Sequence, residues 1–204
     1  MAGAASPARV GGECAKRFAR VREVFEQSFA SGEVGASVAV TVGGELVLDL
    51  WGGHRDGART KPWLRDTLAN VYSTTKGMTA ICANRLAQAG KLDLDAPVAR
   101  YWPEFAQAGK GSIPVRWLLC HKAGLAAIRK PLPAGAFGDW KLMTESLAAE
   151  SPWWEPGTAH GYHALSYGFL VGEVLRRIDG RTLGAHFRDE LALPLGLDFH
   201  IGFG

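Results

Sequence analysis

The sequence predicts an α+β fold in which an antiparallel β-hairpin is combined with a lobe of helices. Two apolar and β-branched runs, Ser37–Val42 and Glu45–Trp51, flank Gly43-Gly44, which is the pattern of a hairpin. Between residues 74 and 191, apolar residues recur at helical spacing, and proline and glycine separate the segments. We therefore expect an antiparallel sheet packed with helices and, next to it, an all-helical lobe.

Composition limits the class of protein. The 204 residues are 47% hydrophobic and 21% charged, which is typical of a globular chain and excludes wholesale disorder. A net charge of +3, spread along the sequence, does not favour nucleic acid, and no apolar run approaches the roughly 18 residues of a membrane span. The first residues lack the pattern of a secretory signal. The cysteines are odd in number and far apart, which favours a cytoplasmic location over a disulfide framework; they are Cys14, Cys82 and Cys120.

The helices follow from apolar spacing and breakers. Phenylalanines and a valine at spacings of three and four predict a first helix from about Cys14 to Ser31, after a frayed segment 1–12. Residues 74–89 form a second predicted helix, which ends at Gly90. Further helices are expected at Val115–Cys120, Trp140–Glu150, Leu165–Asp179 and Leu183–Leu191.

The predicted hairpin stands alone. A two-stranded hairpin is marginal in water, so it needs further strands or a helical cover. Three explanations remain open at this point: another chain supplies the strands, helices alone cover the hairpin, or the sequence is incomplete.

A serine and a lysine at S-x-x-K spacing form the first chemical motif. Ser73 is expected where an extended stretch meets a helix, so that its N–H lies at the positive end of the helix dipole and can donate to an oxyanion. Lys76 follows one turn later and can reach the serine hydroxyl as a base. The alternative is that Ser73 caps the helix and Lys76 is a solvated surface lysine.

A tyrosine after a tight turn forms the second motif. Pro156-Gly157 favours a turn, and Tyr162 follows it just before an apolar helix. A phenol near a lysine and a serine can transfer protons if positive charge lowers its pKa. An aromatic side chain packed at a helix entrance is the alternative.

Together these segments resemble the serine β-lactamase-related family. The segment YSTTKG at residues 72–77 and the pattern W-x-P-G-T-x-x-x-Y ending at Tyr162 are most similar to class C-like esterases and penicillin-recognising serine hydrolases. Four more regions resemble the family in the expected order: LDLDAPV at 92–98 with YWPEF at 101–105, LLCHKAGL at 118–125, YGFLVGE at 167–173 and LPLGL at 193–197. The resemblance runs from about residue 16 to the C-terminus.

The resemblance implies a β-lactamase-like fold and a serine hydrolase that forms an acyl-enzyme on small carboxylic esters, with a small-molecule ester or amide as its substrate. Ser73 would be the nucleophile. Lys76 would be its base or proton relay, and Tyr162 would share that role and protonate the leaving group. No metal or organic cofactor is implied.

The sequence departs from the family pattern in two places. Ala164 stands where members often carry an asparagine that orients an amide substrate, which favours esters over β-lactams or peptides. The family's late Lys/His/Trp-x-Gly strand is also missing. We therefore expect a single, incomplete, C-terminally truncated domain over 1–204, with a helix and hairpin at about 14–72 and the helical lobe at 73–204. Impaired activity and self-association through an exposed sheet edge would follow.

Other candidate residues surround these motifs. Trp153 and Trp154 precede the tyrosine and are candidates for an apolar acyl pocket, and His121 is a third candidate substrate contact. Aromatic core residues and a structural histidine are the alternatives. His160 and His163 form the one close histidine pair, without a further ligand at metal spacing, so we expect no metal site.

Two other functions stay open. The chain could be a non-catalytic remnant that acts as a ligand-binding or interaction module. Within the enzyme class, it could be a β-lactam hydrolase, a D-amino-acid peptidase or a transacylase.

Overall fold

The computed structural model describes residues 9–202, and its contacts divide the chain into two compact units, Met1–Asn70 and Val71–Gly204. The first unit contains an antiparallel sheet and one long helix, and the second consists of helices and loops. This combination confirms the predicted α+β class. The further expectation that both parts form one incomplete domain stays a prediction.

The sheet of the first unit has three strands in the order β1-β3-β2. They are β1 (Val10–Cys14), β2 (Gly35–Val42) and β3 (Glu45–Gly53), and both neighbouring pairs are antiparallel. The predicted hairpin is confirmed as β2 and β3. Gly43 and Gly44 have φ values of 61° and 86°, which is the left-handed pair that a two-residue hairpin turn requires.

Strand β1 corrects the sequence prediction of a frayed start. Residues 10–12 were expected to be frayed, but they pair with β3, so the chain itself supplies a third strand. Glycine does not favour a strand, so the sequence did not predict one here. Glycine is nevertheless required at both positions, because a Cβ on Gly11 would lie 2.8 Å from the Trp51 ring and one on Gly12 would lie 1.9 Å from the Asp49 carbonyl oxygen. The rest of the predicted frayed segment, residues 1–8, lies outside the described residues.

Helix α1 (Ala19–Ala30) covers one face of this sheet. It begins later than the predicted Cys14, after the 3-10 turn Lys16–Phe18. Its Phe29 is buried, and a Cβ on Gly53 of β3 would lie 2.7 Å from that ring, so helix and strand are in direct contact. Strands β1 and β2 occupy the outer positions of the sheet among the described residues. The expected self-association through such an edge stays a prediction.

The second unit is built around helix α5 (Ser166–Asp179). The side chains of Leu170, Val171 and Val174 are fully buried, and helices α2 (Thr75–Gln88) and α4 (Trp140–Ala149) pack against the same core. The other helices are α3 (Val115–Leu119), α6 (Leu183–Phe187) and α7 (Leu193–Leu195), with a π-helical turn at Arg188–Ala192 and 3-10 turns at Tyr72–Thr74, Val98–Arg100, Pro103–Ala106 and Ala136–Gly138.

The predicted helices of this unit are confirmed to within about two residues at most ends. The helix expected at Leu183–Leu191 has a different form, because only Leu183–Phe187 is α-helical and a π-helical turn follows. Pro194 stands two residues beyond that turn and has no N–H to donate to it, which disfavours a regular α-helix there.

Candidate active site

Three polar groups from separate parts of the second unit meet at Ser73. The Nζ of Lys76 donates to the Ser73 Oγ across 3.2 Å, and the hydroxyl of Tyr162 donates to the same oxygen across 2.6 Å. Lys76 lies in the first turn of α2, whereas Tyr162 lies in the loop before α5. The fold therefore brings an alcohol, an amine and a phenol into one hydrogen-bonded cluster.

The backbone around Ser73 is a 3-10 turn rather than the expected extended stretch. The turn Tyr72–Thr74 leads directly into α2, and residues 63–71 just before it form no strand. Tyr72 has a φ of 43°, a left-handed conformation that costs a non-glycine residue about 1 kcal/mol. Such conformations are frequent at functional sites, where the surrounding structure holds them in place.

Lys76 is held by contacts that the sequence did not reveal. Its Nζ also donates to the backbone carbonyl of Ala164 across 2.9 Å, and it lies 4.9 Å from the Tyr162 ring centre and 5.6 Å from that of Tyr167. The Tyr167 hydroxyl donates to the Lys76 carbonyl across 3.3 Å. A backbone acceptor leaves no trace in residue identity, so sequence reasoning could not have found the contact with the Ala164 carbonyl. Tyr167 was available only as part of the YGFLVGE segment.

The two tyrosines beside Lys76 differ in acidity. Its hydrogen bonds with Ser73 and Lys76, together with the charge of Lys76, lower the pKa of Tyr162. Burial raises the pKa of Tyr167 to about 12. Tyr162 is therefore the phenol that is better suited to lose a proton, and Tyr167 remains protonated.

His121 lies directly behind Tyr162. The two ring centres are 5.0 Å apart, and the His121 ring also contacts Tyr167 at 5.2 Å. The His121 Nδ1 accepts a hydrogen bond from the backbone N–H of His163 across 3.2 Å. The ring thus lies within the tyrosine cluster, and its predicted role as a substrate contact stays a prediction.

Trp153 and Trp154 have protein partners of their own. The Trp153 Nε1 donates to the Ala127 carbonyl across 2.8 Å, and the Arg129 guanidinium lies 4.1 Å from the centre of the Trp153 ring. The Trp154 Nε1 donates to the Ala159 carbonyl across 3.1 Å. Their predicted role in an acyl pocket stays a prediction.

A cavity of 280 Å³ opens beside Ser73 and Lys76. Its walls are largely apolar and include Leu165, Leu183 and Ile201. Among the described residues that line it, Trp153, Trp154 and His121 do not occur. This open space next to the serine is therefore bordered by residues of α2, by residues around α5 and α6, and by Ile201.

Residues 9–202 contain neither a metal-binding cluster nor a membrane-spanning helix. No group of three or more histidine, cysteine, aspartate or glutamate side chains is arranged to hold a metal ion there. No helix in that part of the chain has the length and apolar character needed to cross a membrane.

Comparison with known proteins gives the same family as the sequence motifs. The beta-lactamase family model matches residues 21–202. The chain is 40% identical over 196 residues to the esterase/beta-lactamase LipL of Mycobacterium tuberculosis, in an alignment that covers 95% of this chain and 45% of LipL.

Solved structures agree with this match. A penicillin-binding protein homologue from Caulobacter crescentus has a TM-score of 0.92 and 46% identity, with 96% of this chain and 53% of that chain covered. A family VIII carboxylesterase has a TM-score of 0.89 and 46% identity, with 96% and 55% covered. The chain spans about half the length of these relatives. Because the family model matches most of the sequence and two solved folds superimpose on nearly all of it, the predicted β-lactamase-like fold is confirmed, and this protein belongs to the serine beta-lactamase-like family.

Proposed function

We propose that the protein is a serine hydrolase that forms an acyl-enzyme on small carboxylic esters, with Ser73 as nucleophile. The observation that carries this proposal is the pair of hydrogen bonds at the Ser73 Oγ, from Lys76 and from Tyr162. A nucleophile and a base within hydrogen-bond reach, with the base oriented by a third group, is the arrangement that activates a serine. The family supports the same reading, since two of the relatives described above are named an esterase and a carboxylesterase.

The proposed reaction begins with proton transfer from Ser73. In the reactive state Tyr162 is a phenolate next to the Lys76 ammonium and accepts the Ser73 proton, while the Oγ bonds to the ester carbonyl carbon. The carbonyl electron pair moves to oxygen, and the N–H of Ser73 donates to that oxyanion. When the tetrahedral intermediate collapses, the bond to the alkoxide breaks and the Tyr162 phenol returns the proton to the leaving alcohol. Water then attacks the acyl carbon while the Tyr162 phenolate takes its proton, the bond to the Ser73 Oγ breaks, and the phenol gives that proton to Ser73 as the acid leaves.

The residues near Ser73 favour a small ester as substrate. The cavity beside it has a volume of 280 Å³ and mostly apolar walls, which suits a short acyl or alkyl group. At Ala164, the protein offers a backbone carbonyl that is already bonded to Lys76 and no side-chain amide that could orient a substrate amide. An ester makes smaller demands on such a site than an amide.

Covalent labelling tests the proposal directly. We expect a fluorophosphonate probe to add one probe mass to the chain, with the modified peptide containing Ser73, and p-nitrophenyl acetate to be hydrolysed. Ser73→Ala should abolish both, whereas Ser112→Ala, at an exposed serine of the same unit, should change neither. If the folded protein is not labelled, the proposal is wrong and a ligand-binding or interaction module becomes the better interpretation. Nitrocefin as a second substrate tests β-lactam hydrolysis, which the name of LipL also suggests.

A further inference from the structure

Two histidines fasten the loop that carries Tyr162 to the segment that follows α3. The backbone N–H of Gly161 donates to the His121 carbonyl, and that of His163 donates to the His121 Nδ1, both across 3.2 Å. The residues on either side of Tyr162 are therefore both bonded to His121. We refer to His121 and His163 together as the histidine latch.

His163 extends this attachment into the core. Its ring is fully buried, its Nε2 accepts the N–H of Leu125 across 2.9 Å, and its Nδ1 donates to the Gly161 carbonyl across 2.6 Å. These two bonds require one protonated and one bare ring nitrogen, which is the neutral imidazole. Ser166 supports the same segment, because its hydroxyl donates to the Leu125 carbonyl across 2.6 Å.

Neutral rings are also what the surroundings favour. Burial, together with the nearby histidines, lowers the pKa of His121 and of His163. The groups that face His121 are Lys76, Tyr162, Tyr167, His160 and His163. No carboxylate contacts the His121 ring among the described residues, so nothing there stabilises its charged form.

Beyond its contacts with Ser73 and Lys76, Tyr162 depends on its neighbours in the loop for its position. It lies in a stretch without helix or strand, and 51% of its surface is exposed. Its hydroxyl must nevertheless stay within hydrogen-bond reach of Ser73, where a shift of about 1 Å is enough to weaken a bond. The His121 ring lies against the phenol, and the backbone on both sides of the phenol is tied to His121, so the latch sets both the position and the orientation of Tyr162.

We propose that His121 and His163 are positioning residues that hold the Tyr162 hydroxyl at Ser73. This proposal rests on the proposed function in one respect, namely that Tyr162 acts as the base for Ser73. The position of the Tyr162 hydroxyl can be measured without any reaction. The role differs from substrate contact, because His121 acts through Tyr162 and through the backbone that carries it.

The placement can be tested by titrating the phenol in the whole chain. The protein has four tyrosines, so ring-labelled ¹³C-tyrosine gives four resonances, and Tyr162→Phe identifies the one of interest. We expect Tyr162 to titrate below the ordinary value of about 10 in the native chain and to move toward that value in His121→Ala. His121→Asn keeps an acceptor near the Nδ1 position and should restore the native value. His160→Ala, which removes only a neighbouring ring at 5.8 Å, is the matched control and should change nothing.

Two outcomes would overturn the latch. Either the Tyr162 pKa is the same in His121→Ala as in the native chain, or Asn and Ala at position 121 have equal effects. His163→Gln, which keeps an acceptor for the Leu125 N–H, provides a second comparison within the latch. In the His163→Gln chain, the pKa of Tyr162 should lie between the values in the native chain and in His121→Ala.

A double-mutant cycle on the labelling rate then tests whether the position of Tyr162 affects the reactivity of Ser73. If His121 acts through Tyr162, His121→Ala should slow fluorophosphonate labelling about 10-fold or more in the native background and by less than 2-fold in Tyr162→Phe. Equal losses in both backgrounds would contradict the proposal. A native chain that does not label at all would refute the proposed function, whereas the phenol titration would still decide the latch.

Discussion

The Tyr162 hydroxyl lies 2.6 Å from the Ser73 Oγ, although 89 residues separate them in the sequence. The same oxygen also accepts a hydrogen bond from Lys76, whose Nζ is 4.9 Å from the centre of the Tyr162 ring. In the proposed mechanism, the ionised phenol accepts the proton of this serine, and the charge of the neighbouring ammonium favours that ionised form. The four predictions below concern these two neighbours and the buried charges that support the unit in which they lie.

Tyr162→Phe should slow the labelling of Ser73 by about 10²–10⁴-fold, because it removes the general base. The pKa of Tyr162 is lowered by its hydrogen bonds to Ser73 and Lys76, so the labelling rate of the native chain should rise with pH and level off below about pH 10. The rise reflects the growing fraction of phenolate. Quenching the labelling reaction at several times and measuring the intact mass gives the labelling rate at each pH. A Tyr162→Phe chain with an unchanged inflection would contradict the assignment of the base.

Lys76→Met should reduce labelling by about 10²–10³-fold and raise the pKa of Tyr162, because the ammonium that stabilises the phenolate is lost. Lys76→Arg should not restore the rate, since a planar guanidinium cannot place one nitrogen between the Ser73 Oγ and the Ala164 carbonyl in the same way. Lys91→Met, at an exposed lysine just beyond α2, is the matched control. Near-native labelling in Lys76→Met would remove the lysine from the mechanism.

Glu173 should make the helical unit sensitive to acid. Burial alone would raise its pKa, but hydrogen bonds from Arg176, Arg177 and Trp140 outweigh burial and lower the pKa to about 2. The folded-state pKa is below the ordinary value of about 4.5, so this stabilisation is complete above that pH and is lost as the pH falls from 4.5 toward 2.

Glu173→Gln should therefore lower the free energy of unfolding at pH 7 by about 3 kcal/mol and flatten its decline between pH 5 and about 2.5. Urea denaturation at several pH values measures both effects. Glu145→Gln, at an exposed position of α4, should follow the native curve. The assignment fails if the Glu173→Gln and native curves remain parallel through the acid range.

Lys110 should be a structural cation rather than a reactive one. Its side chain is fully buried, and the Nζ donates to the carbonyls of Gln107, Ala148 and Glu150 across 2.8, 2.9 and 2.5 Å. Lys110→Met leaves these acceptors without a donor and should lower the free energy of unfolding by about 3 kcal/mol. The control is Lys141→Met, which removes an exposed ion pair and should leave the urea midpoint unchanged. Equal midpoints for the two variants would show that the buried contacts contribute nothing.

Local sequence features predicted the elements that depend on neighbouring residues. Gly43-Gly44 between two β-branched runs predicted the hairpin, and apolar spacing predicted the helices around the core, because turn and helix formation depend mainly on residues within a few positions. The motifs around Ser73 and Tyr162 predicted which side chains meet. They did so through resemblance to a family, since periodicity carries no information about two residues so far apart.

The tertiary structure decided what depends on distant partners. Strand β1 was not predicted because its glycines favour no strand by themselves. Only glycine fits at these positions, because Trp51 and the backbone of Asp49 leave no room for a Cβ. The Ala164 carbonyl and the buried neutral ring of His163 became visible only in three dimensions, because a backbone acceptor and a protonation state depend on surroundings rather than on residue type. Residue identity thus determined which groups can react or pair locally, and long-range packing alone determined which of them lie within hydrogen-bonding distance.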